Sequence, residues 1–278
     1  MTYRLLALDL DGTLLRRDHS VDERDIAAIR ELRATGVTVT IATGRLWTGA
    51  TGAARACSIE GVIACAEGSH LLELATGTTL IHHGMDAAAA GLVRATFGAH
   101  GLASFVFDAT GIHHDHAGAP YTGYVSTWSP NLRIVEEELA WRLAWQSAWQ
   151  RGPLGAVAIG DPEPVAAAHA ALREHADRLF SVSFPVYAHP GKHAVLARAA
   201  GPTKGTALAE LCRQAGCTLA DAVAVGDWLN DVPMFEVAGR SFAMGCAPDA
   251  VRAKATDALA SPAGGGGGIA EAIRRAWG

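Results

Sequence analysis

The chain opens with an apolar run that ends in acidic residues. Leu5 to Leu8 are all aliphatic, and Asp9, Leu10, Asp11 and Gly12 follow directly. A run of this length predicts a buried parallel strand whose carboxyl end lies at the edge of a sheet, where ligands bind in α/β proteins. Because alternate side chains of an extended chain share a face, we expect Asp9 and Asp11 to point toward the same centre. Like charges about 4 Å apart repel by about 4 kcal/mol at an effective dielectric of 20, so the pair is expected to recruit a cation or a proton.

The same polar ending recurs at the next strands. A helix over about residues 20–36 leads to the β-branched run Val37–Ala42, which ends in Thr43, Gly44 and Arg45. A second helix, over about 46–57, leads to a third strand at 61–66. Alternating strands and helices predict a parallel sheet with right-handed crossovers.

The pattern then changes and later returns. Residues 71–74 and 78–82 predict a hairpin, and the segment after it mixes helices and strands without polar strand ends. Its order is typical of an α+β module on an antiparallel sheet. Near His193 the first pattern resumes with a strand at 194–199, a helix starting at Lys204 and the run 222–225 that ends in Gly226 and Asp227.

These shifts predict two domains. The fold class is α/β: a Rossmann-like, doubly wound parallel sheet core with an inserted α+β cap domain. The core is predicted to comprise residues 1–83 and 190–278, and the cap residues 84–189.

Composition limits the partners. The chain has 278 residues, half of them hydrophobic, and a net charge of -5. No basic stripe or polybasic anchor is present, so we expect neither nucleic acid nor a membrane as a partner. The first strand begins too early for a signal peptide and no apolar run has the length of a membrane span, so we expect a cytoplasmic protein. Five cysteines without tight metal spacing predict reduced thiols, with no disulfide framework and no zinc site.

Four segments together resemble a known family. Asp9 to Leu14, Thr43 to Arg45, Lys204-Gly205 and Gly226 to Asp231 are similar to the four motifs of the haloacid dehalogenase superfamily of phosphatases, in the expected order. The position of the inserted segment resembles the Cof-type branch, which carries an α+β cap (type IIB). The resemblance covers essentially the whole chain, but it is sharp only in the core halves.

The resemblance implies a mechanism. Asp9 would be the nucleophile that forms an aspartyl phosphate, and Asp11 the general acid and then the general base. Mg²⁺ would be bound by the Asp9 carboxylate, the Asp11 backbone carbonyl and Asp227, with Asp231 nearby or acting through water. The phosphoryl oxygens would be bound by a further set of residues: Thr43, Gly44, Lys204 and Asn230. Asn230 either contacts phosphate or orients Lys204.

Three function classes remain open. The leading hypothesis is a Mg²⁺-dependent phosphomonoesterase that acts on small phosphorylated metabolites, such as sugar phosphates or nucleotides, as a monomer or weak homodimer. A phosphomutase would use the same intermediate but return the phosphoryl group to a sugar hydroxyl. A phosphate-sensing receiver also phosphorylates an aspartate beside Mg²⁺, but Asp11 is available here to hydrolyse the intermediate.

Other features have structural interpretations. The run His113 to His116 is interpreted as a surface hairpin, and a tryptophan at every fourth position of 141–149 as a packing stripe on a helix over 136–150. The glycines 264–268 are predicted to be a flexible connection. Arg45 either contacts substrate or pairs with acidic side chains. One departure from the family concerns Glu67, Gly68 and Ser69, since relatives usually carry Asn-Gly-Ala after the third strand.

Overall fold

The chain forms two compact units in this computed structural model. The structure describes residues 3–136, 141, 145, 151–245, 247–262 and 264–278. The first unit consists of Met1–Ile81 and Thr203–Gly278, and the second of His82–Pro202.

The bounds of the described strands and helices are as follows. The strands are β1 (Leu5–Leu8), β2 (Thr38–Ile41), β3 (Val62–Cys65), β4 (His70–Glu73), β5 (Thr79–His82), β6 (Ala103–Phe107), β7 (Ile112–His114), β8 (Leu132–Ile134), β9 (Gly155–Gly160), β10 (Leu179–Pro185), β11 (His193–Ala199), β12 (Ala222–Gly226), β13 (Arg240–Ala243) and β14 (Asp257–Ala258). The helices are α1 (Glu23–Ala34), α2 (Trp47–Ala56), α3 (Ala87–Ala99), α4 (Thr122–Val125), α5 (Pro162–Arg173), α6 (Lys204–Gln214), α7 (Val232–Val237), α8 (Asp249–Arg252) and α9 (Gly268–Trp277).

The first unit is built on a parallel sheet with strand order β14-β13-β12-β1-β2. Side chains of β1 alternate between its two faces. Leu6 and Leu8 belong to a core cluster with residues of α1, α2 and α9, whereas Leu5 and Ala7 belong to a cluster with residues of α6 and α7. Helices therefore cover both faces, and the predicted doubly wound core is confirmed.

The third strand joins this sheet only briefly. A single parallel bridge links Ala42 and Ala64, and β3 otherwise pairs antiparallel with β4 in a separate three-stranded sheet. The strands β4 and β5 form the predicted hairpin, closed by hydrogen bonds between Glu73 and the turn residues Gly77 and Thr78. Backbone hydrogen bonds from Ala66 N to Arg45 O and from Glu67 N to Thr43 O hold the short connection at 66–68 beside the end of β2.

The second unit is built on a six-stranded sheet with strand order β10-β11-β9-β6-β7-β8. Its pairs are antiparallel except for β7 with β8. Its core cluster combines residues of α3 and α5 with residues of the sheet, and it includes Trp145. This architecture agrees with the α+β module expected for the inserted segment.

The second domain boundary was predicted too early. Residues 190–202 were assigned to the core, but β11 pairs antiparallel with both β9 and β10 in the second unit. The contacts place the boundary between Pro202 and Thr203. The strand at 194–199 was expected to be a core strand because a helix follows it, and hydrophobicity alone does not reveal which sheet a strand joins.

The surface hairpin predicted at 113–116 is wrong for its first two histidines. His113 and His114 are buried in β7, which lies between β6 and β8. The strand β8 comes from a stretch that the sequence left irregular, and its pairing converts β7 from an edge strand into an interior strand. His113 Nε2 lies 2.8 Å from Asp108 Oδ2, so this buried ring has an acidic partner.

The glycine segment before α9 is not a free connection. Gly264 N donates to Gly12 O at 3.0 Å, and Gly267 N donates to the buried carboxylate of Asp25 at 2.8 Å. Asp25 also accepts from Ala270 N at 2.8 Å. The Asp25 side chain, which belongs to α1, therefore caps the amino end of α9. No local pattern of the sequence indicates this role.

Two sequence predictions extend beyond the described residues. Within the predicted helix over 136–150, only residues 136, 141 and 145 are described. Trp145 is buried and its ring contacts those of Phe97 and Trp141, which agrees with a packing role, whereas Trp149 lies outside the described residues. Cys246 also lies outside them, and the other four cysteines are free thiols.

Candidate active site

A buried lysine connects two of the predicted acidic residues. Lys204 is the first residue of α6, and its Nζ lies 2.6 Å from Asp9 Oδ1 and 2.6 Å from Asp231 Oδ1. All three side chains are almost completely buried. Asp9 follows β1 with the same parity as Leu5 and Ala7, so it faces the side of the sheet that α6 covers. The alternation of β1 and the position of Lys204 at the start of α6 bring Asp9 and Lys204 together, although they are 195 positions apart in the sequence.

Asp227 and Asp231 are placed by the turn after β12. Both oxygens of Asp231 are engaged, since Oδ1 accepts from Lys204 and Oδ2 accepts from the backbone N–H groups of Asp227 and Trp228 at 2.8 and 2.9 Å. Asp227 Oδ1 accepts from the Thr13 hydroxyl at 3.1 Å. Asp231 therefore organises the turn and the lysine, while Asp227 lies beside the loop that follows β1.

Glycines make room for these carboxylates. A Cβ at Gly12, which has φ +82°, would overlap Asp227 Oδ2. A Cβ at Gly226 would overlap the carboxyl group of Asp231. The glycines of the first and fourth motifs thus allow close approach of backbone to acid.

The acidic cluster has a deficit of positive charge. Carboxylate oxygens of Asp9, Asp227 and Asp231 lie within 4.8 Å of one another. Burial and the neighbouring Asp231 raise the pKa of Asp227 to about 7. Burial also raises the pKa of Asp9 above its ordinary value; Lys204 opposes this shift, and Asp231 and Asp227 add to it. Burial alone would lower the pKa of Lys204, but the charges of Asp231 and Asp9 raise it instead.

This donor set fits a hard divalent cation. Carboxylate and carbonyl oxygens are the ligands that Mg²⁺ prefers, and one or two carboxylates plus water and substrate oxygens usually suffice. A single lysine among two buried carboxylates and a third that is partly buried leaves net negative charge that a cation would offset. The residues present therefore fit the predicted metal.

Asp11 does not join this cluster through its carboxylate. Arg45 Nε donates to Asp11 Oδ2 at 2.8 Å, and Arg45 Nη2 donates to Oδ1. Asp9 N still continues the strand ladder by donating to Val225 O, but the chain turns at Leu10, so the alternation that we extended to Asp11 does not apply. The charge of Asp11 also contributes to the raised pKa of Asp227, so Asp11 lies near the acidic cluster, and its place at the same centre as Asp9 stays a prediction.

Arg45 was the ambiguous residue of the second motif, and its partner is now defined. Its side chain is 8% exposed, whereas that of Asp11 is 56% exposed. Besides Asp11, the guanidinium contacts His19 Nδ1 at 3.1 Å and Gly49 O at 3.3 Å. A buried arginine held from several sides keeps the half-exposed carboxylate in one place.

The remaining predicted residues lie around a second acidic side chain. Asn230 Nδ2 donates to Glu67 Oε1 at 2.9 Å, and a Cβ at Gly44 would overlap the same oxygen. The buried Thr43 hydroxyl accepts from Arg45 N at 3.1 Å. Gly44 and Asn230 thus lie together, with Glu67 between them.

Glu67 is held by unusual backbone. Ala66, Glu67 and Gly68 have φ values of 48°, 58° and 88°, so two residues other than glycine adopt the left-handed conformation in succession. This conformation costs roughly 1–2 kcal/mol for each such residue. Glu67 N donates to Thr43 O and Ala66 N to Arg45 O, which binds the strained segment to the second motif.

Sequence reasoning missed two contacts. Thr13 was read only as part of the first motif, and His19 was not considered. A Thr directly after Gly12 gave a signal for the first, because a hydroxyl there follows the acidic strand end. Nothing in the sequence singles out His19. Its backbone has a positive φ of 64°, and its Nδ1 contacts the Arg45 guanidinium.

Comparisons with known proteins place this arrangement in a family. The sequence profile of haloacid dehalogenase-like hydrolases matches residues 6–144 and 150–273. The chain belongs to this family. The predicted superfamily, fold class and enzyme class are thereby confirmed.

Two curated relatives of this haloacid dehalogenase-like hydrolase cover most of its length. Pyridoxal phosphate phosphatase YbhA of Escherichia coli (strain K12) is 27% identical over 277 residues, covering 92% of each chain. HMP-PP phosphatase of Yersinia pestis (strain Pestoides F) is 28% identical over 255 residues, covering 87% of this chain and 84% of the relative.

Solved structures agree in fold. A haloacid dehalogenase-like hydrolase from Bacteroides thetaiotaomicron matches with a TM-score of 0.83 at 20% identity, covering 99% of both chains. A sugar phosphatase described as HAD subclass IIB matches with a TM-score of 0.76 at 19% identity, covering 98% of both. At these identities the structural comparison supports the shared fold alone. Among the described residues, no helix combines the length and the apolar character that crossing a membrane requires.

Proposed function

We propose that this haloacid dehalogenase-like hydrolase is a Mg²⁺-dependent phosphomonoesterase that acts on small phosphorylated metabolites through an aspartyl phosphate at Asp9. The observation that carries the proposal is the bridge of Lys204 between Asp9 and Asp231 beside Asp227. The relatives named as phosphatases of pyridoxal phosphate and of HMP-PP support a small phosphorylated metabolite as substrate.

The role of Asp9 follows from its surroundings. Lys204 holds one carboxylate oxygen of Asp9 and fixes the orientation of the group. Attack of Asp9 on phosphorus forms the bond from its oxygen to phosphorus and breaks the ester bond, with the electron pair leaving on the substrate oxygen. Two successive displacements, the first by Asp9 and the second by water, thus replace a single direct attack of water on the phosphate ester.

Asp11 transfers the protons. It donates a proton to the departing ester oxygen and then, as a carboxylate, accepts one from the water that attacks phosphorus. The second attack breaks the bond between Asp9 and phosphorus and releases inorganic phosphate. Arg45 donates to both oxygens of this carboxylate, so a proton carried by Asp11 has to take the place of one of these hydrogen bonds.

The phosphoryl oxygens need hydrogen-bond donors and positive charge. We assign this role to Lys204, the Thr43 hydroxyl, the backbone at Gly44 and the Asn230 amide. Asp9, Asp227 and the Asp11 carbonyl would bind Mg²⁺, with Asp231 nearby, and the ion would supply positive charge against the phosphoryl oxygens. The second unit, as the cap, is proposed to control which substrates enter. A cytoplasmic monomer or weak homodimer stays a prediction.

The test is hydrolysis of p-nitrophenyl phosphate by the full chain, with and without Mg²⁺. We expect activity that chelation removes and Mg²⁺ restores, and a loss of at least about 10³-fold in kcat for Asp9→Asn. Asp18→Asn makes the same chemical change at an exposed loop position and should retain activity. Normal turnover by Asp9→Asn, with its fold verified by circular dichroism, would refute the assignment.

A second measurement separates hydrolysis from phosphoryl transfer. A panel of sugar phosphates, nucleotides and cofactor phosphates is incubated with the enzyme while free phosphate and phosphorylated products are quantified together. A phosphatase releases one phosphate per substrate consumed. Isomerised sugar phosphate without released phosphate would instead identify a mutase.

A further inference from the structure

The carboxylate of Glu67 occupies a place that the proposed chemistry does not use. Its Oε1 accepts from Asn230 Nδ2 at 2.9 Å and lies directly over Gly44. Both neighbours are residues that we assign to the phosphoryl group. An acidic side chain therefore lies among groups that should bind an anion.

The backbone dictates this placement. Ala66 and Glu67 are held in the left-handed region by hydrogen bonds to Arg45 O and Thr43 O. A Cβ at Gly68 would overlap the backbone oxygen of Thr203, so the segment also lies closely against the start of α6. The side chain of Glu67 is thus directed to the site by backbone contacts with two of the predicted motifs.

The charge of Glu67 lies at the site without a cationic partner in its described hydrogen bond. That bond is made to the neutral amide of Asn230, so it does not neutralise the negative charge. The side chain is only partly buried, and a substrate near Gly44 and Asn230 would meet this charge.

We propose that Glu67 is a specificity-determining residue that disfavours substrates with a second negative charge near the transferred phosphoryl group and favours those with a hydroxyl or ammonium group there. This inference rests on the proposed phosphatase function. The negative charge of the transferred phosphoryl group itself is offset by Lys204 and by the proposed cation. A second anion has no such compensation and is repelled by Glu67, whereas a hydrogen-bond donor gains an acceptor.

The test uses three small phosphomonoesters that differ in the charge of a single group. Phosphoethanolamine, 2-hydroxyethyl phosphate and phosphoglycolate carry an ammonium, a hydroxyl and a carboxylate at the same distance from the ester oxygen. Each is measured as a competitive inhibitor of p-nitrophenyl phosphate hydrolysis by the wild-type protein at low and high salt. The variants are Glu67→Gln, which keeps the shape, and Glu67→Asn, whose side chain suits the left-handed backbone.

The matched control is Glu60→Gln. Glu60 is exposed and paired with Arg33, so this variant makes the same change in net charge away from the site. We expect wild type and Glu60→Gln to bind phosphoethanolamine more tightly than phosphoglycolate by about fivefold at low salt, and both Glu67 variants to reduce this ratio to below about twofold. High salt should reduce the wild-type ratio in the same direction.

Two outcomes overturn the inference. One is a wild-type ratio near one, and the other is a ratio that survives in whichever Glu67 variant folds, as judged by its melting temperature. The underlying function fails differently, because a wild-type protein that does not hydrolyse p-nitrophenyl phosphate with Mg²⁺ refutes the phosphatase itself. Activity together with an unchanged ratio refutes only the role of Glu67.

Discussion

Arg45 binds both carboxylate oxygens of Asp11, with Nε 2.8 Å from Oδ2, although the two residues are 34 positions apart. The arginine is buried and the aspartate is half exposed. A fork of two parallel hydrogen bonds restrains both the position and the orientation of a carboxylate. Arg45 is therefore the residue that positions the proposed proton-transferring group.

Removal of this restraint should separate the two half-reactions. In Arg45→Met, the departure of p-nitrophenolate needs little proton donation, whereas hydrolysis of the aspartyl phosphate still needs a base. We expect a burst of p-nitrophenolate followed by turnover slowed by about tenfold or more, and slow turnover without a burst for glycerol phosphate. Stopped-flow absorbance and phosphate release measure these phases.

Two further variants complete this experiment. Arg45→Lys keeps the charge without the fork and should fall between wild type and Arg45→Met. Arg33→Met removes an arginine that pairs with Glu60 instead and should behave as wild type. Wild-type kinetics in Arg45→Met would show that Asp11 needs no positioning by this residue.

Lys204 should contribute strongly to stability. Lys204→Met would leave Asp9 and Asp231 buried without their cationic partner, at an expected loss of about 3–5 kcal/mol in the free energy of unfolding. The double variant Lys204→Met/Asp231→Asn should lose less than the sum of the single variants, because the second change removes an unpaired charge. Urea denaturation of the full chain measures each value.

Lys192 offers the matched control for that prediction. It forms an exposed pair with Asp161, so Lys192→Met should change the free energy of unfolding by less than about 0.5 kcal/mol. An equal loss of unfolding free energy in Lys204→Met and Lys192→Met would contradict the inference that burial makes the Lys204 ion pairs important for stability.

Asp25 should stabilise the end of the chain through two hydrogen bonds. Asp25→Ala removes the acceptor for Gly267 N and Ala270 N and leaves buried donors at the start of α9, at a cost of about 1–3 kcal/mol. Glu31→Ala, at an exposed position of the same helix α1, should change stability by less than about 0.5 kcal/mol. Hydrogen exchange should show that the loss of stability is located in α9. Unchanged protection of the α9 amides would contradict the role of Asp25 as a helix cap.

Asp108 should make the second unit sensitive to acid. Burial alone would raise its pKa, but hydrogen bonds from His113 and Thr110 outweigh burial and lower the pKa to about 2. A lowered folded-state pKa gives stability that is complete above the unfolded value of about 3.9 and is lost as the pH falls toward 2. The melting temperature of Asp108→Asn should therefore be lower than that of wild type at pH 6, and this difference should become smaller as the pH falls to 2.5.

Melting temperatures at a series of pH values measure this effect. Asp161→Asn, at an exposed position of the same unit, should follow the wild-type curve at every pH. A constant difference between Asp108→Asn and wild type across the whole range would contradict the linkage.

The sequence by itself determined the parallel core and the set of acidic and basic residues that meet there. Apolar runs of strand length ending in Asp9, Thr43 and Asp227 predict one shared sheet edge, because parallel strands present their carboxyl ends together. The lysine at the start of α6 could be added from the order of the motifs. The prediction of a shared edge depends on local pattern and on the geometry of a parallel sheet, whereas the role of Lys204 depended on the resemblance to the family motifs.

Only the tertiary structure decided the partners. Asp11 binds Arg45 because the chain turns at Leu10, just after the last ladder hydrogen bond at Asp9. The strand β11 belongs to the second unit because it pairs with β9 and β10. Glu67 reached Asn230 because two left-handed residues redirect it. Such outcomes follow from contacts between distant segments and from backbone angles, neither of which a hydrophobic pattern encodes.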